Sequence, residues 1–450
     1  MIGHSIDRRG ALLGGAGVAL AGLGTPWQAG AAEKAAPFSV VINTSPWFDG
    51  FRGVVEQYQK ETGNQVTLDV NPYAGSLEKQ RSSVRAGTGQ FDLLIMNGLF
   101  YPEMYFGGFV VPLNEIDPSF KLDPSCATFD DTIYWDEKTK TCNAKTGKLM
   151  SMPINPNIPL LYYRNDLYQA HGLKVPQTFD ELYANAKALH NPPRIYGMVQ
   201  RGVRGPADVS YDWFPYLNGF GGELFKDEKG GDFTVTINSE AGRAALNFYL
   251  KLAHDCGHPN TGGVGQAEVI QNLVTGKAAH AILVIAAWAQ MDNPDKSVVV
   301  GKINLALPPH APGLKSAPTL GQWLGGIARN VPRERQEAVM TFFRWFQTYD
   351  AQVKYTVAGA PPVRIDVLNS DMGKQQKYRW MPVMAAGLPL ARQMWTVPEG
   401  AQIVAVLELR LNQAITGELS STAALNTMAS EIHAIMEKGG YKTGRLPDLT

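Results

Sequence analysis

Phe38-Ser-Val-Val-Ile-Asn43 opens the stretch of sequence that decides the fold, and Gln65-Val-Thr-Leu-Asp-Val70 and Phe91-Asp-Leu-Leu-Ile-Met96 complete it. Each is an apolar, β-branched run of strand length. Between the first two, Phe51, Val54, Val55 and Tyr58 recur at helical spacing, and Gly63 follows as a C-cap. Between the second and third, Ser76–Ala86 reads as a polar helix with Ser76 as N-cap and Glu78 in the first turn. Strands alternating with helices imply parallel β-α-β units, hence an α/β fold. In such sheets ligands sit beyond the carboxyl ends of strands. Those ends are Asn43 to Asp49, Asn71 to Ser76 and Asn97 to Tyr101.

Working outward, the same theme continues. Thr178–His190 is a helix with a capping-box spacing, Thr178 to Glu181. Ser239–His254 is amphipathic and capped by Ser239. Ala278–Ile285 reads as a buried strand. Arg333–Tyr349 is a helix with an aromatic face of Phe342, Phe343, Trp345 and Phe346. Ser421–Lys438 is a last helix closed by Gly439-Gly440. The stretch Asp123–Lys148 reads as an insert too polar to hold itself by burial. It carries Cys126 and Cys142, with Cys256 far away. Outside the cytoplasm two cysteines this close read as a local staple. One bond among three cysteines allows three pairings, and the expectation here is Cys126 to Cys142.

The chain begins with an address. Arg8-Arg9 precedes a Gly/Ala-rich apolar run, and the small-residue site Ala29-Gly30-Ala31 follows. These are the parts of an export signal, and the paired arginines before a soft core are similar to a twin-arginine signal. Cleavage is expected near Ala31, and the protein is expected in the periplasm. Over 450 residues, 41 basic and 41 acidic side chains balance, which argues against a nucleic-acid partner. A hydrophobic share of 44% fits a folded chain. No later apolar run is long enough to make a polytopic membrane protein.

Sites of chemistry are scarce. No HExxH, G-x-S-x-G or GxxxxGK[ST] is present, so no catalytic, metal or cofactor group is expected. His254-Asp-Cys-Gly-His258 holds ligand-type side chains, but Gly257 and Pro259 break the helix that would align them, and it reads as a structural helix end. Asp227–Asp232 lacks the register of a calcium loop and reads as a hairpin turn. What remains is tryptophan at loop positions: Trp47-Phe48 after the first strand, Trp213-Phe214, Trp288, Trp323 and Trp395. An indole offers a flat apolar face to the C–H groups of a sugar ring and one N–H donor. Core packing is the ordinary alternative for any one of them.

These features are similar to those of the extracellular solute-binding proteins of ABC importers, in the group that includes the maltose-binding protein. The likeness is carried in order by Gly75-Ser-Leu-Glu78 to Phe91-Asp92, by Met152-Pro153, by Leu161-Tyr-Tyr-Arg-Asn-Asp166 with Thr178-Phe-Asp-Glu-Leu182, and by Gly276 to Trp288, Gly325-Gly326 and Gly359-Ala-Pro-Pro-Val-Arg364. The resemblance implies a two-lobed periplasmic-binding-protein fold with three interlobe crossings, near Pro159–Tyr163, Pro308–Pro312 and Gly359–Val363. Residues 32–159 and 309–360 would form the first lobe, and 160–308 and 361–450 the second, after a signal at 1–31. It further implies a monomeric carrier that captures a small solute, a sugar or polyol, and delivers it to a transmembrane permease. Trp47, Phe48, Asp49, Asn97, Trp213, Trp288, Trp323 and Arg364 would hold the solute, with a hinge ion pair as the other role open to Arg364. A polyamine or other small metabolite is the second solute class, and a periplasmic hydrolase on the same frame is the rival of another kind.

Overall fold

The computed structural model describes residues 34–450, so the export-signal reading lies outside the described residues. β1 (Phe38–Asn43) pairs in parallel with β2 (Val66–Asn71) and with β3 (Leu93–Asn97). β1 and β3 are almost wholly buried, which their β-branched and leucyl side chains suit, while β2 is the half-exposed edge. The helix Phe48–Thr62 buries the four residues at helical spacing and ends at Gly63, whose φ of 73° is left-handed. The next helix, Tyr73–Arg85, starts earlier than expected, after Pro72. Ser76 is inside it and not its cap; its hydroxyl accepts from Gln80 Nε2 at 3.2 Å. The early start puts Tyr73 in the first turn, where it becomes part of the site.

The Asp123–Lys148 insert folds around a short antiparallel pair, β4 (Tyr134–Trp135) and β5 (Lys148–Leu149). Burial holds it after all: Phe129, Ile133 and Trp135 are buried, and Trp135 meets Tyr105 at 6.0 Å. The expected Cys126–Cys142 staple is not formed, since all three cysteines are free thiols. Cys126 lies in a backbone bridge opposite Arg364, whereas Cys142 Sγ sits 3.3 Å from the Tyr101 hydroxyl. Burial pushes both thiols up to about 12, so neither is a thiolate.

β6 (Ser151–Asn155) and β7 (Pro159–Arg164) are nearly continuous in sequence yet belong to different sheets, so the chain crosses between lobes at residues 156–158. β8 (Phe225–Asp227) and β9 (Asp232–Val235) form the hairpin whose turn is the acidic stretch. β10 (His280–Val284) and β11 (Ile303–Ala306) flank β7, both antiparallel to it. β12 (Trp323–Ile327) returns to the first lobe between β3 and β6, antiparallel to both. β13 (Thr443–Arg445) extends the hairpin. The first sheet therefore runs β2-β1-β3-β12-β6 and the second β10-β7-β11. The second sheet is antiparallel, so the β-α-β theme does not carry into it.

Arg333–Phe346 buries Phe342, Phe343 and Phe346 as expected, but stops short of Tyr349. Thr348 caps a new helix, Tyr349–Val357, by accepting from the Ala351 N–H. The segment Gly359–Val363 is not a crossing. Val363 N–H donates to Gln352 Oε1 at 2.8 Å, and Arg364 is tied to the insert and to the first-lobe helices. The chain reaches the second lobe later, at Arg379, which donates to Asn304 Oδ1 and to the Ile303 carbonyl. It then runs beside Thr319 at Arg392 and ends in helices Gly400–Ile415 and Ser421–Lys438.

Candidate functional site

The antiparallel return of β12 sets Trp323 directly opposite Asn97 at the carboxyl end of β3. Trp47, from the loop after β1, packs against Trp323 with ring centroids 5.4 Å apart. Tyr73 stands edge-on to the same indole at 5.9 Å. These rings form one wall of a cavity of about 230 Å³. Its opposite wall comes from the second lobe: Arg201, the loop Pro206–Asp208, Tyr211 and Gln266. Between them lie Asn157, from the crossing at 156–158, and Gly321, from the return to β12. That return comes after the expected Pro308–Pro312, which stays in the second lobe: His310 pairs with Thr178, and the Ala311 N–H donates to the Gly219 carbonyl. A Cβ on Gly321 would come within 2.1 Å of the Tyr211 hydroxyl, so only glycine lets that side chain approach the crossing.

The second-lobe wall is charged. Arg201 is only 3% exposed, and its Nη2 donates to Gln266 Oε1 at 2.5 Å. The guanidinium lies 3.6 Å from Asp208 Oδ1 and 3.7 Å from Asp212 Oδ1. Asp212 also accepts from the Arg201 backbone N–H at 3.0 Å and from the Tyr249 hydroxyl at 2.9 Å. Burial pushes the Asp212 carboxyl up to about 6 against the pull of Arg201. Across the cleft, burial and the nearby carboxylates of Asp208 and Glu408 raise the Tyr73 phenol, which stays protonated and able to donate.

Several buried polar atoms on these walls have no partner among the described residues: Asn43 Oδ1, Ser45 Oγ, Trp47 Nε1 and the Tyr211 hydroxyl. A desolvated donor or acceptor without a partner costs about 1–3 kcal/mol. A solute rich in hydroxyls, each both donor and acceptor, meets that demand, while the indole faces take its C–H edges. The volume is below the roughly 300 Å³ at which pockets for drug-sized ligands begin.

Of the residues singled out from sequence, Trp47, Asn97 and Trp323 line this cavity. Asn97 also holds its own loop, since Oδ1 accepts from the Leu99 N–H at 2.9 Å. Phe48 is set aside under the Arg52 guanidinium, 5.7 Å from its ring. Trp213 is fully buried, edge-on to Phe214 at 5.9 Å, and is a core residue of the helix Val209–Gly219. Arg364 bonds Asp123 at 2.7 Å, Asp366 at 2.6 Å and the Gln347 carbonyl at 2.8 Å, which makes it a structural ion pair. Asp49 and Trp288 line a different cavity of about 440 Å³ that shares only Ser45 and Pro46 with the first. There Arg379 covers the Trp288 ring at 4.3 Å, and the indole N–H donates to the Lys377 carbonyl at 3.2 Å. Among the described residues no group of three or more His, Cys, Asp or Glu is placed to hold a metal.

The sequence profile of bacterial extracellular solute-binding proteins matches residues 42–353. The chain belongs to this family. As a solute-binding protein it is 24% identical to a mannitol-binding protein of Pseudomonas aeruginosa, over 78% of this chain and 82% of that one. It is 22% identical to a probable amino-acid ABC transporter periplasmic-binding protein of Sinorhizobium fredii, over 89% of each. Among solved structures it is similar to a ribitol complex of an ABC transporter solute-binding protein from Agrobacterium radiobacter, with TM-score 0.78, 23% identity, and coverage of 89% of this chain and 99% of that one. A maltose-bound T. maritima protein gives TM-score 0.79 at 22% identity, covering 89% of this chain and all of that one. The fold of the solute-binding protein is thus the two-lobed periplasmic-binding-protein fold.

Tyr73, Arg201, Asp208, Tyr211 and Gln266 were not found from sequence. Tyr73 lay within the strand end Asn71 to Ser76, and for the second lobe the signal was local: Arg201-Gly-Val-Arg-Gly-Pro206 and Asp208 place charges in a Gly/Pro-broken loop just before the aromatic helix.

Proposed function

We propose that this solute-binding protein is the periplasmic receptor of an ABC importer, and that its solute is a polyol or single sugar bound between the lobes. The observation that carries the reading is the two-sided cavity, with stacked aromatics from one lobe and hydrogen-bonding charges from the other. Only the closed arrangement supplies both, so the solute shifts the population toward closure by its differential affinity, and the permease reads the closed shape. The relatives named for mannitol, ribitol and maltose support the solute class, and the small volume favours one ring or chain over an oligosaccharide. The role is that of a carrier and not of an enzyme, acting as a monomer. Export through Arg8-Arg9 and cleavage near Ala31 belong to the same proposal. Arg8→Lys with Arg9→Lys should then leave precursor in the cytoplasm, and normal export of that variant would remove the twin-arginine part.

A thermal-shift screen tests the solute class. A ligand at about 100 times its Kd adds about 2.7 kcal/mol of stability. Ribitol, D-mannitol or a monosaccharide should shift melting, whereas amino acids and putrescine should not. A shift confined to an amino acid or an amine would overturn the polyol reading.

A further inference from the structure

Most of the second-lobe wall is the segment 201–210, irregular from 201 to 208 and ending in the first two residues of the helix Val209–Gly219. Ala207 in it has a φ of 76°, a left-handed conformation that costs a residue with a Cβ about 1–3 kcal/mol and persists only when neighbours enforce it. The enforcing contacts come from behind, from the helix Gly400–Ile415. That helix buries an apolar stripe of Ile403, Val404, Leu407 and Leu411, and Glu408 stands among them at 1% exposure. Its carboxylate accepts from the Gly205 N–H at 2.8 Å, from the Ser210 N–H at 2.9 Å and from the Ser210 hydroxyl at 2.6 Å. One turn on, on the same face, Asn412 Nδ2 donates to the Gly202 carbonyl at 2.7 Å and the Gly262 carbonyl at 3.1 Å. A leucine at 408 would serve the helix better, since a buried carboxylate needs compensation that an apolar side chain does not. One of the three donors it captures is in the loop that presents Asp208, and the other two are on Ser210, in the first turn of the helix that presents Tyr211.

We infer that Glu408, with Asn412, is a positioning residue for solute binding: it touches no solute, and it sets affinity by holding the 201–210 loop in its binding conformation. The inference rests on the proposed cavity being the solute site. If the loop is competent only part of the time, apparent affinity falls by that fraction.

The test compares Glu408→Gln and Asn412→Ala with wild type by hydrogen exchange of the 201–210 backbone and by calorimetry with D-mannitol and ribitol. The Gln amide sets an N–H donor against the donors of either Gly205 or Ser210. Unliganded Glu408→Gln should exchange faster at 201–210 while residues 213–219 and the helix Gly400–Ile415 keep their protection. Its Kd should rise about fivefold, the factor that goes with one lost hydrogen bond of average strength, and saturating ligand should restore the loop's protection. Asn412→Ala should do the same more weakly. Unchanged exchange at 201–210, loss of protection spread over both helices, or a loosened loop with unchanged Kd would each overturn the inference. If wild type binds neither polyol, the solute reading falls instead. The exchange pattern, which needs no ligand, then decides alone, with loosening confined to the loop in its favour.

Discussion

The two walls of the cavity are built in opposite ways. The first-lobe wall is made of rings set on strand ends: Trp47 after β1 and Trp323 at the start of β12, with Tyr73 in the turn of a helix that follows β2. Its geometry is fixed by sheet register and by core packing, since Trp47 is fully buried against Phe51 at 5.8 Å. The second-lobe wall is made of charges on an irregular loop, fixed by side-chain hydrogen bonds to Asp212 and Glu408. A surface held by a sheet is hard to move and supplies area; one held by buried carboxylates is adjustable and supplies selectivity. Titrating groups follow the same division, because the carboxyls and imidazoles shifted toward or away from neutral pH by burial, among them Asp212, Glu228, Glu408, His190 and His280, lie in the second lobe.

The largest effect is expected from Arg201→Met. It leaves Asp212 buried without its cation, and breaking such a pair costs about 3–5 kcal/mol. Melting should fall steeply and polyol binding should vanish. Trp213→Ala should cost a similar 3–5 kcal/mol by cavity formation. The folded fraction, assayed well below its melting point, should bind with near-normal Kd. Weakened binding with little loss of stability would return Trp213 to the site and erase the contrast between core and wall.

Acid should act on the second lobe with a sign that can be worked out. His280 is fully buried, Nδ1 donating to the Gly197 carbonyl at 2.6 Å and Nε2 accepting from the Tyr168 hydroxyl at 2.6 Å. Burial lowers its pKa to about 4. Between about 6.5, the unfolded value, and 4 the unfolded chain binds the extra proton, so stability falls as pH falls through that window. Asp212, raised to about 6, acts in the opposite sense, because the folded state takes up its proton first. The His280 contribution is therefore read as the difference between wild type and His280→Gln, up to about 3 kcal/mol between pH 7 and pH 4. Parallel pH profiles for the two proteins would show that the imidazole titrates freely.

Smaller effects sharpen the first wall. Trp47→Phe keeps the ring contact with Phe51 and removes the unpartnered indole N–H, so Kd should rise about threefold to tenfold with melting nearly unchanged. Smallest of all is the effect of reductant. With three free thiols, dithiothreitol should leave melting where it was, whereas a closed loop of about 15 residues would lose about 3 kcal/mol.

The sequence was legible where one chain segment carries its own periodicity. β1, the helices Phe48–Thr62 and Ser421–Lys438, and the Thr178 capping box stand where their spacing put them. The insert was misjudged because Phe129, Ile133 and Trp135 are interspersed with charges at no regular period, so their burial is visible only in three dimensions. In the site, Trp47, Asn97 and Trp323 were legible because strand ends converge by the geometry of a sheet. Arg201, Asp208 and Tyr211 were not, because what holds their segment is remote in sequence: Gln266 on Arg201, and Glu408, about two hundred residues away, on Gly205 and Ser210. Trp213 and Trp288 misled for one reason: an indole's type says nothing of which side of a helix or strand end it occupies.

The central claim is that affinity needs both walls at once. Calorimetry with the polyol or sugar selected by the thermal-shift screen tests it most directly, on Trp323→Ala from one lobe and Asp208→Asn from the other, with unliganded melting measured alongside. The account predicts that each variant stays folded at the titration temperature and that each loses at least tenfold in affinity, one through lost stacking and one through a lost charged acceptor. Two folded variants that both bind like wild type would place the solute elsewhere and contradict the account.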